Sequence, residues 1–126
     1  MISILVADDD KLVRMTMRKI LESADYSVLE AKDGGQAVDM YRKLNPDLVI
    51  VDIVMPIKDG VRTFLELRGL DAKAKIIAMS AGARSGKIDY LNLTKRIGAN
   101  GILVKPFNRA SVLALVGQVL AGEKSA

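Results

Sequence analysis

Short apolar runs alternate along the chain with segments whose apolar residues recur at helical spacing. The apolar runs predict five strands, at residues 2–7, 26–31, 47–52, 75–80 and 102–104. The other segments predict five helices, at residues 11–22, 36–44, 61–67, 88–97 and 109–120. Successive strands start ~20–28 residues apart, a spacing typical of right-handed βα units with parallel strands.

The third predicted strand is the centre of this pattern. Its residues Leu48 to Val51 are all aliphatic, and Asp52 follows them. Such a run is typical of a central strand that is buried on both faces of a parallel sheet. The expected fold is α/β: a doubly wound (βα)5 sandwich around a five-stranded parallel sheet, with the flavodoxin-like strand order 2-1-3-4-5. Ligands of such sheets bind at the carboxyl ends of the strands, where Asp52 would lie.

Polar residues predict where several helices begin and end. Asp10 and Asn108 are placed to cap the first and fifth helices. Asn45 followed by Pro46 predicts the end of the second helix. The segment Asp33-Gly34-Gly35 predicts a turn in front of that helix.

The composition excludes several kinds of chemistry. The 126 residues include no Cys and no His, which excludes disulfides, thiolate metal sites, histidine-ligated zinc and imidazole catalysis. No apolar run approaches the length of a membrane span, about 18 residues, and the start of the chain lacks the basic segment of an export signal. We therefore expect one cytoplasmic domain over residues 1–121, followed by a short polar tail over residues 122–126.

The net charge of +4 raises nucleic acid as a partner. The Lys and Arg residues are scattered, however, without an arginine-rich run or interleaved aromatic residues. A solvated basic surface is the simpler explanation, and a basic face for an acidic protein partner is the second. We expect no direct contact with nucleic acid or with a membrane.

Polar residues stand at the ends of four predicted strands. Asp8 and Asp9 follow the first strand, Asp52 ends the third, Ser80 ends the fourth, and Lys105 follows the fifth. In the expected strand order these side chains meet at one edge of the sheet. Neighbouring carboxylates stay ionised only beside a cation, and oxygen ligands without nitrogen or sulfur favour Mg²⁺.

A lysine and a serine that face the same cation indicate a phosphoryl group as its remaining ligand. An ionised carboxylate is already a nucleophile, so Asp52 is the candidate acceptor of a covalent phosphoryl group. Asp8 and Asp9 would hold the metal ion. The sequence thus predicts phosphoryl transfer that depends mainly on positioning and charge neutralisation.

At these positions the chain resembles the receiver domains of two-component response regulators, of the single-domain, chemotaxis-regulator-like kind. The resemblance covers essentially the whole chain. It is carried by four motifs: Ile4-Leu5-Val6-Ala7-Asp8-Asp9; Asp47-Leu48-Val49-Ile50-Val51-Asp52 with Met55-Pro56 and Asp59-Gly60; Ile76-Ile77-Ala78-Met79-Ser80-Ala81; and Lys105-Pro106-Phe107. Each motif alone is weak, but together, in this order and at these spacings, they are specific.

The resemblance implies a role for each matching residue. Asp52 would take a phosphoryl group from the phosphohistidine of a sensor histidine kinase or a phosphotransfer protein. Asp9 and Asp52 would bind Mg²⁺ directly, Asp8 would act through water, and the backbone carbonyl of Val54 would be a further ligand. The protein would be a phosphoacceptor that assists its own phosphotransfer and dephosphorylation, and not an enzyme.

The resemblance also implies a conformational switch. Ser80 would move its hydroxyl to the phosphoryl oxygen, and Lys105 would pair with the acyl phosphate. The Lys105–Pro106 peptide bond would be cis. These contacts would shift the population toward a form that binds a downstream protein through the fourth helix, the fifth strand and the fifth helix. That face carries four basic residues, which suit an acidic partner: Lys87, Lys95, Arg96 and Arg109.

The chain departs from the family pattern at three positions. The family often has an aromatic residue early in the fifth strand that rotates inward on activation, but Ile102 stands there. The signal carried by that rotation is therefore weakened, or another residue such as Tyr90 carries it. Val54 and Gly82 occupy two positions that tune the lifetime of the phosphoryl group. Neither side chain can orient an attacking water, so we expect slow hydrolysis.

Two other classes of protein fit parts of the pattern. Asp8-Asp9-Asp10 loosely matches the aspartyl nucleophile motif of haloacid-dehalogenase-type phosphatases, although the chain is short and lacks their later acidic pair. A flavodoxin-like electron carrier would need an anion-binding loop after the first strand, where three aspartates would repel the phosphate of FMN. Within the receiver family, the chain is either a complete regulator that acts by binding a partner or a receiver from a longer protein, and we expect the former.

Overall fold

The computed structural model of the protein describes residues 1–53, 60–80 and 98–122. The strands are β1 (Ser3–Ala7), β2 (Ser27–Ala31), β3 (Leu48–Asp52), β4 (Ile76–Ser80) and β5 (Gly101–Val104). The described helices are α1 (Lys11–Glu22), α2 (Gly34–Leu44), α3 (Gly60–Leu70) and a C-terminal helix (Arg109–Leu120). The helix predicted at residues 88–97 lies outside the described residues.

All neighbouring strands of the sheet run parallel, in the order β2-β1-β3-β4-β5. The predicted fold class and strand order are therefore confirmed. Every residue of β3 and of β4 is buried, as expected for aliphatic strands that helices cover on both faces. Ala7 of β1 pairs with Val51 of β3, so these two strands end side by side.

The sheet separates two apolar cores, because successive side chains of a strand point to opposite faces. Leu5 and Val49 pack on one face with Phe64 of α3. Their neighbours Ile4 and Ile50 pack on the other face with residues of α1 and of the C-terminal helix. Burial on both faces fixes the register of the central strands, since a shift by one residue would exchange the two cores.

The predicted helix boundaries at Asp10, Asn45 and Asn108 are confirmed. The Asp10 carboxylate accepts a hydrogen bond from the Leu12 amide at 2.9 Å, and the Asn108 side chain accepts one from the Ser111 amide at 2.8 Å. These caps satisfy amides that have no partner within the helix. Asn45 ends α2 in the left-handed region, with a φ of 48°.

The predicted turn at Asp33-Gly34-Gly35 is wrong. Gly34 and Gly35 are the first residues of α2, because the Asp33 carboxylate accepts a hydrogen bond from the Gln36 amide at 2.8 Å and caps the helix there. The third helix is also longer than predicted, since it begins at Gly60 and ends at Leu70. The strand boundaries differ from the prediction by one residue at the start of each strand.

Arg68, near the end of α3, joins two connections that flank β4. One guanidinium nitrogen donates to the carbonyl oxygens of Ala72 and Ala74. The other donates to the Gly98 carbonyl and to Asn100 Oδ1, both at 3.0 Å. The guanidinium carbon also lies 5.5 Å from the centroid of the Phe64 ring, within the range of a cation–π contact.

Candidate functional site

The parallel sheet brings the predicted site residues to one edge. Asp8 follows β1, Asp52 ends β3, Ser80 ends β4 and Lys105 follows β5. Asp8 and Ser80 are fully buried, Asp52 is 6% exposed, and Asp9 faces solvent. Carboxylates are rarely buried unless they are paired, so this arrangement indicates a polar site whose charged groups have partners.

Lys105 connects two of the buried carboxylates. Its Nζ lies 3.1 Å from Asp8 Oδ2 and 3.1 Å from Asp52 Oδ2. Its backbone amide donates to the Ser80 carbonyl at 2.6 Å, which continues the pairing of β5 with β4 beyond Val104. The Lys105–Pro106 peptide bond is cis, as the resemblance implies. The lysine head group is therefore fixed between the ends of β1 and β3.

The carboxylates of Asp8, Asp9 and Asp52 form a cluster that suits a divalent cation. One oxygen from each lies within 4.8 Å of the others. Carboxylate oxygens are the ligands that Mg²⁺ prefers, and no imidazole or thiolate exists in the chain to favour a softer metal. When ionised, three carboxylates beside one ammonium leave two negative charges, which a divalent cation would neutralise.

The environment of Asp8 disfavours its charged form. Burial raises the pKa of Asp8 to about 6, and the nearby Asp52 carboxylate acts in the same direction. The Asp10 amide, which donates to Asp8 Oδ1 at 2.9 Å, and the Lys105 ammonium act in the opposite direction. A bound divalent cation would lower the free-energy cost of ionising Asp8, because it stabilises the carboxylate form.

Lys105 keeps its charge in this site. Burial lowers the pKa of Lys105, but the attraction of Asp52 and Asp8 outweighs burial and raises it above the ordinary 10.5. The site therefore presents a permanent cation beside Asp52. Such a cation can pair with an anionic group that is added to the Asp52 carboxylate.

Gly60 brings α3 against the end of β3. A Cβ atom at Gly60 would lie 2.0 Å from the Asp52 carbonyl oxygen and 2.2 Å from the Ile53 Cα. Both are backbone atoms and cannot turn aside, so only glycine allows this approach. The sequence marked Gly60 as part of a motif, but its steric role depends on the packing of α3 on β3.

Comparison with known proteins agrees with this geometry. The family model described as response regulator receiver domain matches residues 4–117. Protein CcdB of Bacillus subtilis is 42% identical over 121 residues, which cover 95% of this chain and 98% of that protein. Chemotaxis protein CheY of Halobacterium salinarum is 38% identical over 117 residues, which cover 93% of this chain and 95% of that protein.

A solved structure gives the same result. The crystal structure of response regulator protein TrrA from Thermotoga maritima, in complex with Mg²⁺ and BeF, superposes with a TM-score of 0.84 at 30% identity. The alignment covers 94% of this chain and 99% of that chain. The chain belongs to the response regulator receiver domain family. Membership in this family sets aside the phosphatase and flavodoxin-like carrier alternatives.

A receiver domain is a phosphoacceptor signalling domain of two-component systems, and receiver domains bind Mg²⁺ at an acidic pocket. The cluster of Asp8, Asp9 and Asp52 is consistent with such a pocket. No described helix of this receiver domain is long and apolar enough to span a bilayer.

Some predicted residues of the receiver domain lie outside the described residues. They are Val54, Gly82, Lys87, Tyr90, Lys95 and Arg96. Ile102 is described: it is half-buried in β5, where it pairs with Ala78 of β4. Arg109 is exposed at the start of the C-terminal helix, and its Nε donates to Ser23 Oγ at 3.1 Å.

Two charged residues beside the site, Arg14 and Glu30, were not predicted from the sequence. Arg14 donates from Nη1 to the carbonyl oxygen of Asp8 and from Nε to Glu30 of β2. A signal for Arg14 was present, because it occupies the same face of α1 as the buried Met17 and Leu21. A charged residue on the inner face of an amphipathic helix needs partners there.

Proposed function

We propose that this receiver domain is a phosphorylation-activated switch in which Asp52 accepts a phosphoryl group. The observation that supports this most strongly is the position of Asp52, buried at the end of the central strand and 3.1 Å from the Lys105 ammonium. An ionised carboxylate needs no base to act as a nucleophile. The acidic partners Asp8 and Asp9 give the site its affinity for a divalent cation.

In the proposed transfer, a carboxylate oxygen of Asp52 attacks the phosphorus of a phosphohistidine on a sensor histidine kinase or a phosphotransfer protein. The new P–O bond forms while the P–N bond breaks, and the electron pair of the P–N bond leaves with the imidazole nitrogen. Bound Mg²⁺ would neutralise charge on the phosphoryl oxygens. Asp9, Asp52 and the Val54 carbonyl would hold the ion directly, and Asp8 would hold it through water.

The product would change the contacts of Lys105 and Ser80. A phosphoryl group adds negative charge and acceptor oxygens to Asp52, which attract the Lys105 ammonium and the Ser80 hydroxyl. Because these contacts are stronger in one conformation, they shift the population toward it. Ser80 ends β4 and Lys105 follows β5, so the proposed conformational change would extend to β5 at the edge of the sheet.

The face for a downstream protein would comprise the predicted fourth helix, β5 and the C-terminal helix. Among described residues of this face, Arg109 is exposed and Val104 is 47% exposed. The basic residues predicted there suit an acidic protein partner. We infer a cytoplasmic location, which the phosphotransfer partners also require.

The experiment that tests this proposal is intact-protein mass spectrometry after incubation with Mg²⁺ and a small phosphodonor. Wild-type protein should gain one phosphoryl group, and Asp52→Asn protein should gain none. Chelation of Mg²⁺ should abolish the addition. Addition to Asp52→Asn as well would assign the acceptor elsewhere, and no addition to wild type under these conditions would contradict the proposal.

The same assay tests the proposed lifetime. Val54 and Gly82 provide no group to orient an attacking water, so the isolated phosphoprotein should lose its label slowly. Substitution of Val54 by Asn or Gly82 by Glu should shorten the half-life of the label. A short half-life in the wild type would contradict slow hydrolysis without affecting the assignment of Asp52.

A further inference from the structure

The guanidinium of Arg14 bridges Asp8, which follows β1, and Glu30 of β2. Arg14 Nη1 donates to the Asp8 carbonyl at 2.6 Å, and Arg14 Nε donates to Glu30 Oε1 at 3.1 Å. Its side chain is 14% exposed. The planar guanidinium has fixed donor directions, so it holds both acceptors in a defined relation.

The Asp8 carbonyl lies just beyond the end of β1, where the pairing of β1 with β2 ends. The Asp8 amide still donates to Ala31 of β2 at 3.1 Å, which is the last contact of this edge of β1. The Asp8 carbonyl belongs to the peptide unit that joins Asp8 to Asp9, and Arg14 holds it. The orientation of that unit sets the direction in which the chain leaves β1 and presents the exposed carboxylate of Asp9.

We propose that Arg14 is a positioning residue for the divalent cation of this site. Arg14 acts through the Asp8–Asp9 peptide unit and fixes the Asp9 carboxylate relative to Asp8 and Asp52. This inference rests on the proposed function, because it concerns the same cation site. It adds a residue that contacts neither the phosphoryl group nor the metal ion.

Arg18 offers a matched comparison. Arg18 Nε donates to Glu30 Oε2 at 2.6 Å, and Arg18 Nη1 donates to Glu22 at 2.9 Å. Loss of either arginine therefore leaves Glu30 with one arginine partner and removes one positive charge. The two arginines differ in their second partner, because Arg14 donates to the Asp8 carbonyl and Arg18 donates to Glu22.

Replacement of Arg14 removes both a positive charge and a hydrogen bond to Asp8, and these two losses should change the metal affinity in opposite directions. Removal of a positive charge near a cation site strengthens binding through Coulomb's law. Loss of the hydrogen bond to Asp8 releases the peptide unit and weakens binding, because the ligands must then be ordered when the cation binds. Substitution of groups that orient ligands typically costs about 10–100-fold in metal affinity.

The test measures Mg²⁺ binding by calorimetry in the full chain for wild type, Arg14→Met and Arg18→Met. Arg14→Met should raise the Mg²⁺ dissociation constant by about tenfold. Arg18→Met should leave it unchanged or slightly lower. In metal-free protein, hydrogen exchange at the Asp9 and Asp10 amides should accelerate in Arg14→Met and not in Arg18→Met. Arg14→Lys, which keeps one donor for the Asp8 carbonyl, should bind Mg²⁺ more tightly than Arg14→Met.

Equal or tighter Mg²⁺ binding by Arg14→Met, or equal weakening by Arg14→Met and Arg18→Met, would overturn the role of Arg14 while leaving the proposed function intact. Failure of wild-type protein to bind Mg²⁺ would overturn the proposed function itself. If Arg14→Met does not fold, the lysine variants provide the test. Arg14→Lys should weaken Mg²⁺ binding and Arg18→Lys should leave it unchanged. Equal Mg²⁺ affinities of the two lysine variants would overturn the inference.

Discussion

Lys105 and Asp52 form an ion pair at 3.1 Å although 53 positions separate them in the chain. The same ammonium lies 3.1 Å from Asp8, and both contacts use the Oδ2 oxygens. The lysine therefore shares both carboxylates with the site that a divalent cation would use. Its charge stabilises the carboxylates when no metal ion is bound, and it would oppose the binding of a divalent cation.

Replacement of Lys105 by Met should strengthen Mg²⁺ binding. The substitution removes a positive charge from the two carboxylates, and the relieved repulsion should lower the dissociation constant by about tenfold at the high effective dielectric of a partly exposed site. Calorimetric titration measures this change. Lys75→Met is the control, because the Lys75 ammonium instead donates to the Leu120 carbonyl at 2.8 Å. Weaker Mg²⁺ binding by Lys105→Met would show that the lysine organises the carboxylates more than it competes for them.

Replacement of Asp8 by Asn should stabilise the protein without metal. Asp8 is fully buried, and burial raises its pKa to about 6 from the ordinary 3.8. The folded protein therefore binds this proton more tightly than the unfolded chain, and the cost of the ionised form is complete above about pH 6. In urea unfolding with a chelator at pH 7, Asp8→Asn should raise the free energy of unfolding by about 3 kcal/mol.

The gain from Asp8→Asn should shrink as the pH falls from about 7 toward 4, since the wild-type carboxyl then becomes protonated in the folded state and no longer carries a buried charge. The exposed neighbour Asp9 provides the control, and Asp9→Asn should change stability little. A gain that stayed constant over this pH range would show that the stabilisation has a source other than the buried charge.

Replacement of Gly60 by Ala should destabilise the fold and displace Asp52. The new Cβ would lie 2.0 Å from the Asp52 carbonyl oxygen, so α3 must move away from β3 at a cost of about 3 kcal/mol or more. Gly69 lies in the same helix, but a Cβ atom there would meet no heavy atom within 4 Å apart from the local helix backbone, so Gly69→Ala should stabilise the protein by about 0.5–1 kcal/mol. Urea unfolding of both variants measures the contrast. Equal stabilities would show that α3 adjusts freely at Gly60.

Replacement of Glu30 by Gln should cost stability at neutral pH but not in acid. Its hydrogen bond with Arg18 is the main cause that holds the pKa of Glu30 below the ordinary 4.5. A lowered folded pKa gives stability that is present above about pH 4.5 and is lost as the pH falls through the folded value. Because Glu30 is partly exposed, we expect a loss of about 1 kcal/mol at pH 7.

Unfolding midpoints of wild type and Glu30→Gln should therefore converge as the pH is lowered below about 4.5. Glu22→Gln removes only the exposed pair with Arg18 and should cost about 0.3–0.5 kcal/mol at pH 7. A gap between wild type and Glu30→Gln that persists in acid would assign the role of Glu30 to its packing.

The sequence predicted features that depend on local pattern. The aliphatic run from Leu48 to Val51 predicted the central strand, and the caps at Asp10 and Asn108 predicted the starts of two helices. The order of the sheet then brought Asp8, Asp52, Ser80 and Lys105 to one edge. These predictions succeeded because strand burial and helix capping depend on neighbouring residues in the chain.

Features that depend on distant contacts were not predicted. The turn predicted at Gly34 and Gly35 is instead an error in a local feature, because the Asp33 cap draws both residues into α2 although glycine has a low helix propensity. The bond from Arg14 to the Asp8 carbonyl depends on where α1 crosses the end of β1. Likewise, the reason for glycine at position 60 lies in the approach of α3 to a carbonyl of β3.

Hydrogen bonds from Arg68 to Gly98 and Asn100 anchor the chain just before β5. Asn100 Oδ1 also accepts from the Ile76 amide at 2.9 Å, so the chain just before β5 is tied to both α3 and β4. Lys105 follows the other end of β5 and contacts Asp52. Side chains from outside the β4–β5 pairing therefore hold both ends of β5, its amino end through Arg68 and Asn100 and its carboxyl end through Lys105.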